Sequence, residues 1–175
     1  MVVVGDFGHG FINDSVRRVL EAKSKFLALN AQSNSSNMGY NYFTLYKRID
    51  FLCANEEEVR MPFSMRFENI DAVIYTLKAK FRNTSFLVTR SKKGCVFVND
   101  SGVFSAPVLT NSVNDTVGAG DALFAITSLF VYLKADHELI PFIANSAGGI
   151  AVNIMGNKES VSKDMMKNFI NEVLK

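Results

Sequence analysis

The amino-acid sequence predicts an α/β fold built on a mostly parallel sheet, and three observations carry that expectation. Short apolar runs of strand length alternate with amphipathic helical stretches through the first half of the chain. Three long helical stretches fill the region after residue 118. Glycine-rich turns and an acidic cluster follow directly on strands, where open α/β sheets gather their ligands. Strand–helix–strand units of this kind close in a right-handed sense and cover the sheet on both faces, giving a three-layer sandwich.

The elements follow in order. Val2–Val4 reads as a short buried strand, and the turn from Gly5 to Gly10 leads into a helix over Asn13–Ala22 with Val16, Val19 and Leu20 on one face. Phe26–Asn30 and Phe51–Ala54 are further buried strands. The Asn- and Ser-rich stretch from Asn30 to Asn41 between them is too long for a tight connection and is either a functional or a mobile loop. Ile70, Val73, Ile74 and Leu77 are spaced as one face of a helix. Ser85–Thr89 is the next strand. Cys95–Asn99 and Val103–Ala106 flank Asp100-Ser101-Gly102, a hairpin signal. Helices are expected over Ala119–Ala135, Leu139–Met155 and Ser162–Leu174. No repeat or linker interrupts the pattern, so residues 1–175 read as one compact unit.

Composition narrows the classes of function. A hydrophobic content of 48% with a mean hydropathy of +0.11 supports a well-buried core. The net charge of +2 is spread among both signs, with no basic stripe interleaved with aromatics, which argues against a nucleic-acid partner. Lys78, Lys80 and Arg82 sit at the end of an expected helix, where the helix dipole accounts for them. Cys53 and Cys95 lie in strand-like runs and read as core thiols; with His9 and His137 they make no zinc pattern. No signal peptide or membrane-length run is present, so a cytoplasmic setting without a membrane partner is expected.

The most informative stretch is Asp115-Thr116-Val117-Gly118-Ala119-Gly120-Asp121, directly before a long apolar helix. Small residues permit close backbone approach, and the free N–H groups of a helix start attract an anion. Asp121 adds a carboxylate within the first turn, which suits phosphoryl transfer to a hydroxyl. The plainer reading makes Asp115 a helix cap and the glycines its turn, and on spacing alone both stand.

Together with Ala-Leu-Phe-Ala after it, this stretch resembles the signature of the ribokinase-like (PfkB) carbohydrate kinases, with Ile126 standing where that family usually has Gly or Ala. The resemblance implies that the amides of Gly118, Ala119 and Gly120 form an anion hole and that Asp121 is the base on the sugar hydroxyl. Asn55 and Glu58, in Asn55-Glu56-Glu57-Glu58, fit the family's Asn-x-x-Glu element, which implies a role in organising Mg²⁺ through water; as residues alone they could be a solvated first helical turn. Thr89, Ser91 and Gly94 resemble the nucleotide-facing turn, with Ser91 where many members have Gly, or form a plain hairpin connection. Asn145, in Ala144-Asn145-Ser146-Ala147-Gly148-Gly149, resembles the polar contact of the adenine pocket, while Gly148 and Gly149 equally suit close helix packing.

Gly5-Asp6-Phe7-Gly8-His9-Gly10 lacks the third glycine of a dinucleotide fingerprint and the Lys-Ser/Thr of a P-loop. It resembles the Asp-Tyr-Gly-Lys-Gly turn of heptose-phosphate kinases in the same family, with Phe7 and His9 replacing Tyr and Lys. Asn30-Ala31-Gln32-Ser33-Asn34 likewise looks like members found beside nucleotidyltransferases. The resemblance covers the C-terminal portion of such a domain, so the expected fold is ribokinase-like and incomplete at its N-terminal side, without the lid and first strands. ATP and Mg²⁺ are the implied cofactors, and a sugar or sugar phosphate is the implied substrate. Three functions follow: a carbohydrate kinase completed by an N-terminal half, a non-catalytic nucleotide-binding or structural module, and, disfavoured by the failed fingerprint, a dinucleotide-dependent oxidoreductase. Self-association through exposed sheet surface is expected as well.

Overall fold

The computed structural model describes residues 1–110 and 114–175. Six strands, β1 (Val2–Asp6), β2 (Leu27–Ala31), β3 (Phe51–Asn55), β4 (Ser85–Thr89), β5 (Cys95–Asn99) and β6 (Gly102–Ala106), form a sheet in that order. The first four are parallel neighbours, with Val2 opposite Leu27, Ala28 opposite Phe51 and Phe51 opposite Ser85. The helices are α1 (Asp14–Lys23), α2 (Glu56–Arg60), α3 (Ile70–Lys80), α4 (Ala119–Tyr132), α5 (Leu139–Ala151) and α6 (Lys163–Val173). The backbone divides into two compact units, Met1–Thr89 with Phe97–Val103, and Arg90–Val96 with Phe104–Lys175.

In the first unit β2 is buried along its whole length and β3 up to Ala54, as parallel strands covered on both faces are; the one polar residue of β2, Asn30, donates to Cys53 O at 2.8 Å. Phe43, Phe81 and Phe86 pack with ring centroids 5.5 and 6.5 Å apart, offset or edge-on as aromatic quadrupoles prefer. Helix α3 turns Val73, Ile74 and Leu77 inward, with Asn69 capping its start. Two expectations need correction here. β1 lies at the sheet edge and alternates in burial, with Val4 and Asp6 buried and Val3 41% exposed, because only one of its two faces is covered. Helix α1 buries no residue and leaves Val19 60% exposed, so only Val16 and Leu20 of the expected face are partly covered.

In the second unit α4 and α5 pack closely: a Cβ added at Gly148 would lie 3.3 Å from Leu123 Cδ1. One added at Gly149 would lie 3.1 Å from the Phe169 ring of α6. Both glycines therefore serve helix packing. Helix α4 stops at Tyr132, short of Ala135, because Lys134 is left-handed at φ 55°. Helix α5 stops at Ala151, ahead of the turn at Gly156 (φ 61°). Cys95 is a free, buried thiol, and burial pushes its pKa up to about 12.

The buried face of α4 carries Leu123 and Phe124 but also Thr127 and Ser128. Ser128 Oγ donates to the carbonyl of Phe124 at 2.7 Å, whereas the buried Thr127 Oγ1 has no hydrogen-bond partner among the described residues. An unmet hydroxyl in a packed helix interface is a standing cost. Thr127→Val keeps the shape and removes that hydroxyl; it is expected to raise stability by about 1 kcal/mol, measured by chemical denaturation. A loss of stability would show that Oγ1 has a partner in solution.

Candidate functional site

The residues singled out above fall into three groups. In the first unit, Asn55 ends β3 and caps α2: its Oδ1 accepts from the Glu58 amide at 2.9 Å, and Glu58 Oε2 accepts from the Asn55 amide at 2.9 Å. This reciprocal capping box explains why Asn and Glu stand three residues apart at a helix start. Glu58 is 6% exposed, and its other oxygen accepts from the Ser33 amide at 3.0 Å. Burial raises the Glu58 pKa, and the two amide hydrogen bonds oppose that rise. Parallel pairing sets Asn55 opposite Thr89, so the ends of β3 and β4 bring these two predicted residues side by side.

The second group lies in the other unit, around the exit from β6. A Cβ on Gly94 would come within 2.1 Å of the Ala106 carbonyl oxygen, and Gly94 itself sits at φ 79°. Asn145 on α5 donates both hydrogens of its amide nitrogen to the same stretch, to Ala106 O at 2.9 Å and Pro107 O at 2.7 Å. Gly94 and Asn145 thus meet at Ala106–Pro107, and Asn145 keeps its Oδ1 as an acceptor. Ser91 adopts φ 49°, the left-handed conformation that glycine takes most readily, at a position where glycine is common in the resembled turn.

The third group is the start of α4. Gly118 is its N-terminal flanking residue at φ 76°, in the left-handed region; among the described residues no side chain caps the helix, and the Ala119 amide makes a long bond of 3.4 Å to Thr116 O. Asp115 is not the cap. Its Oδ1 accepts from the Val117 amide at 2.9 Å and its Oδ2 from the Gly156 amide at 2.9 Å, and these bonds hold its pKa below the ordinary carboxylate value. A Cβ on Gly120 would meet nothing within 4 Å, so packing does not explain that glycine. Gly118 and Asp121 line a cavity of about 320 Å³, walled by Ala122, Ala125, Ile126, Ala151 and Ile154 and rimmed by Glu159, Ser160 and Val161. An uncapped helix start, open space over its second glycine and a carboxylate on the cavity wall together suit an anionic ligand with a base beside it.

Sequence reasoning missed one feature of the first unit. Asp6 is buried, its Oδ2 accepting from Tyr46 Oη at 2.8 Å and its Oδ1 from the Gly8 amide at 3.0 Å. Burial, followed by the Asp6 carboxylate, raises the Tyr46 pKa and keeps the phenol protonated. The partners lie 40 positions apart, so only the Asp-x-Gly turn was open to local reading. No cluster of three or more His, Cys, Asp or Glu suited to a metal occurs among the described residues, and none of their helices is long and apolar enough to cross a membrane.

The profile for "pfkB family carbohydrate kinase" matches residues 14–163. The chain is similar to the bifunctional protein HldE of Koribacter versatilis, 31% identical over 117 residues that cover 65% of this chain and 24% of that protein. It is also similar to the bifunctional protein HldE of Geotalea uraniireducens, 24% identical over 160 residues that cover 89% of this chain and 32% of that protein. The chain therefore spans a quarter to a third of these relatives' length. Among solved structures, ribokinase from Thermotoga maritima superimposes with a TM-score of 0.72 at 15% identity, over 90% of this chain and 52% of that one. Phosphofructokinase-2 from Escherichia coli, in complex with substrates and products, gives 0.74 at 14% identity, over 99% of this chain and 57% of that one. The ribokinase-like α/β fold expected from the sequence is the fold observed.

Proposed function

The chain belongs to the pfkB family of carbohydrate kinases, and from that premise we propose that it carries the nucleotide site and catalytic base for phosphoryl transfer from ATP to a hydroxyl of a sugar phosphate. The single observation that carries this reading is the start of α4: no side-chain cap, open space over Gly120, and Asp121 on the wall of a cavity. Amides of Gly118, Ala119 and Gly120 hold the transferring group and spread its charge along fixed dipoles that need no reorganisation. Asp121 takes the proton from the attacking hydroxyl. Thr89, Ser91 and Gly94 contact the triphosphate, and Asn145 offers its Oδ1 to the amino group of the base.

Mg²⁺ is the implied metal, and the donors at the end of β3 fit it in one way only. Both Glu58 oxygens already accept backbone amides and the side chain is buried, so Asn55 and Glu58 suit a hydrated Mg²⁺ held through its waters rather than a directly ligated ion. Bound there, Mg²⁺ supplies neutralisation of phosphate charge. The resemblance of the turn from Gly5 to Gly10 to that of heptose-phosphate kinases favours a heptose phosphate as acceptor. Residues 1–175 are then the later portion of a single ribokinase-like domain in the cytoplasm, working with the remaining portion or with a second copy. Coverage of 52% of the Thermotoga ribokinase is in keeping with a match to part of such a domain.

The test is calorimetric titration of the chain with Mg·ATP, followed by a phosphate-transfer assay on sugar phosphates with the N-terminal half of the domain added. Binding with transfer supports the kinase, binding without transfer supports a nucleotide-binding module, and no binding rejects both. Gly120→Ala sharpens it. The added Cβ meets no atom of the described residues within 4 Å, and alanine is about 0.5–1 kcal/mol better than glycine within a helix. The variant is therefore expected to melt no lower than wild type while losing most of its transfer rate. Retained transfer would show that no ligand uses that space.

A further inference from the structure

We infer that Asn37 is a positioning residue for the Asn55–Glu58 pair, acting on it through the peptide unit that joins Gln32 to Ser33. The inference rests on reading that pair as the metal-organising element. Asn37 is 4% exposed, and its Nδ2 donates to Phe7 O at 2.8 Å and Gln32 O at 2.9 Å, while its Oδ1 accepts from the Asn34 amide at 2.8 Å. Asn41 adds a second donor from Nδ2, to Asp6 O at 2.9 Å and to Gln32 O at 3.3 Å. The Gln32 carbonyl is thus held by two buried amides that also grip the end of β1.

That carbonyl and the Ser33 N–H belong to one planar peptide group, so turning one turns the other. The Ser33 N–H is the group that donates to Glu58 Oε1, and Glu58 Oε2 is held by the Asn55 amide. Orientation therefore passes from the end of β1, through Asn37 and one rigid plane, to a carboxylate whose two oxygens are both committed. The loop at 32–41 is neither slack nor simply a connection: it aims Glu58. Gly8 belongs to the same arrangement, since a Cβ there would lie 2.5 Å from Asn37 Nδ2.

Asn37→Ala removes both donors, and two readouts are taken on the whole chain. Amide hydrogen exchange at Ser33 is expected to rise about tenfold while Leu52 in β3 stays within about twofold of wild type, since only the local opening changes. Mn²⁺ affinity in the presence of ATP, followed by electron paramagnetic resonance, is expected to weaken by roughly three- to tenfold, the range for losing a hydrogen bond that orients a metal site. Ser36→Ala, which cuts an exposed bond to Asn34 outside this path, should change neither. Ser33 exchange unchanged in Asn37→Ala overturns the inference. Faster exchange with unaltered Mn²⁺ affinity overturns it too, leaving Asn37 a loop contact.

If Asn37→Ala does not fold, Glu58→Gln decides by the reverse path. Coupling is reciprocal, so the Asn37 side-chain amide protons should exchange faster in that variant, and unchanged exchange would reject the inference. Failure of wild type to bind Mn·ATP rejects the metal reading itself. The exchange experiments then decide separately whether Asn37 orients the pair.

Discussion

In a domain completed by its N-terminal half, Asp121→Asn is expected to lower the rate of phosphoryl transfer by about a thousandfold, within the range for removing a general base, while changing Mg·ATP affinity by less than about threefold. The substitution keeps the size of the side chain and its place in the first turn of α4, on the wall of the cavity it shares with Gly118. It removes the one property the mechanism needs, a carboxylate able to take a proton. Because the change touches the transition state and not ground-state nucleotide binding, kcat and kcat/KM should fall together. Single-turnover kinetics beside calorimetry of Mg·ATP binding checks both halves. A transfer rate near wild type would place the base elsewhere, and a comparable loss of nucleotide affinity would make Asp121 a binding group.

Gly94→Ala is expected to give the largest loss of stability of any substitution discussed, about 2–5 kcal/mol, from strain at a left-handed position and overpacking combined. The added Cβ would stand 2.1 Å from the Ala106 oxygen and 2.9 Å from the Pro107 carbonyl carbon, and both obstacles are backbone. No side chain can swing aside to make room. Thermal unfolding followed by circular dichroism should show a melting temperature lower by about 10 °C, given the size of the chain. A loss under about 1 kcal/mol would mean that the strand exit relaxes freely. Gly94 is thus required by the close approach of two backbone segments, whether or not it also faces a nucleotide.

Local signals in the sequence were enough for most of the elements. Ser85–Thr89 and Cys95–Asn99 stand with the bounds their apolar runs predict, because a fully buried strand shows itself in composition alone. The hairpin after Cys95–Asn99 was legible in Asp100-Ser101-Gly102, whose amides at Ser101 and Gly102 donate to Asn99 Oδ1. Val19 and Val3 misled, since an apolar residue at the right spacing states what could be covered, not whether a neighbour covers it.

The site divides along the same line. Gly118 and Asp121 were readable because a helix start is a local object. Glu58 was readable as part of a first helical turn but not as buried or as half of a capping box, and its bond to Ser33 spans 25 positions and has no local trace. The loop from Asn30 to Asn41 was the least legible segment, because its order comes from asparagine side chains reaching carbonyls of Phe7 and Asp6, 30 and 35 positions away respectively. Asn145 shows a further difficulty. Its place on α5 was foreseeable, yet both hydrogens of its amide are spent on Ala106 and Pro107, which narrows what it can offer a ligand to a single acceptor.

The bond from the Gly156 amide to Asp115 has a mechanical consequence. Asp115 lies three residues before Gly118, and Gly156 three residues before Glu159, so one carboxylate fastens the strand of chain beneath the cavity to the segment that forms its rim. The amides of Asn114 and Asp115, which both donate to Val152 O, brace the same approach, so a displacement of residues 156–161 would be felt at the Gly118 turn through that carboxylate against a fixed backbone anchor.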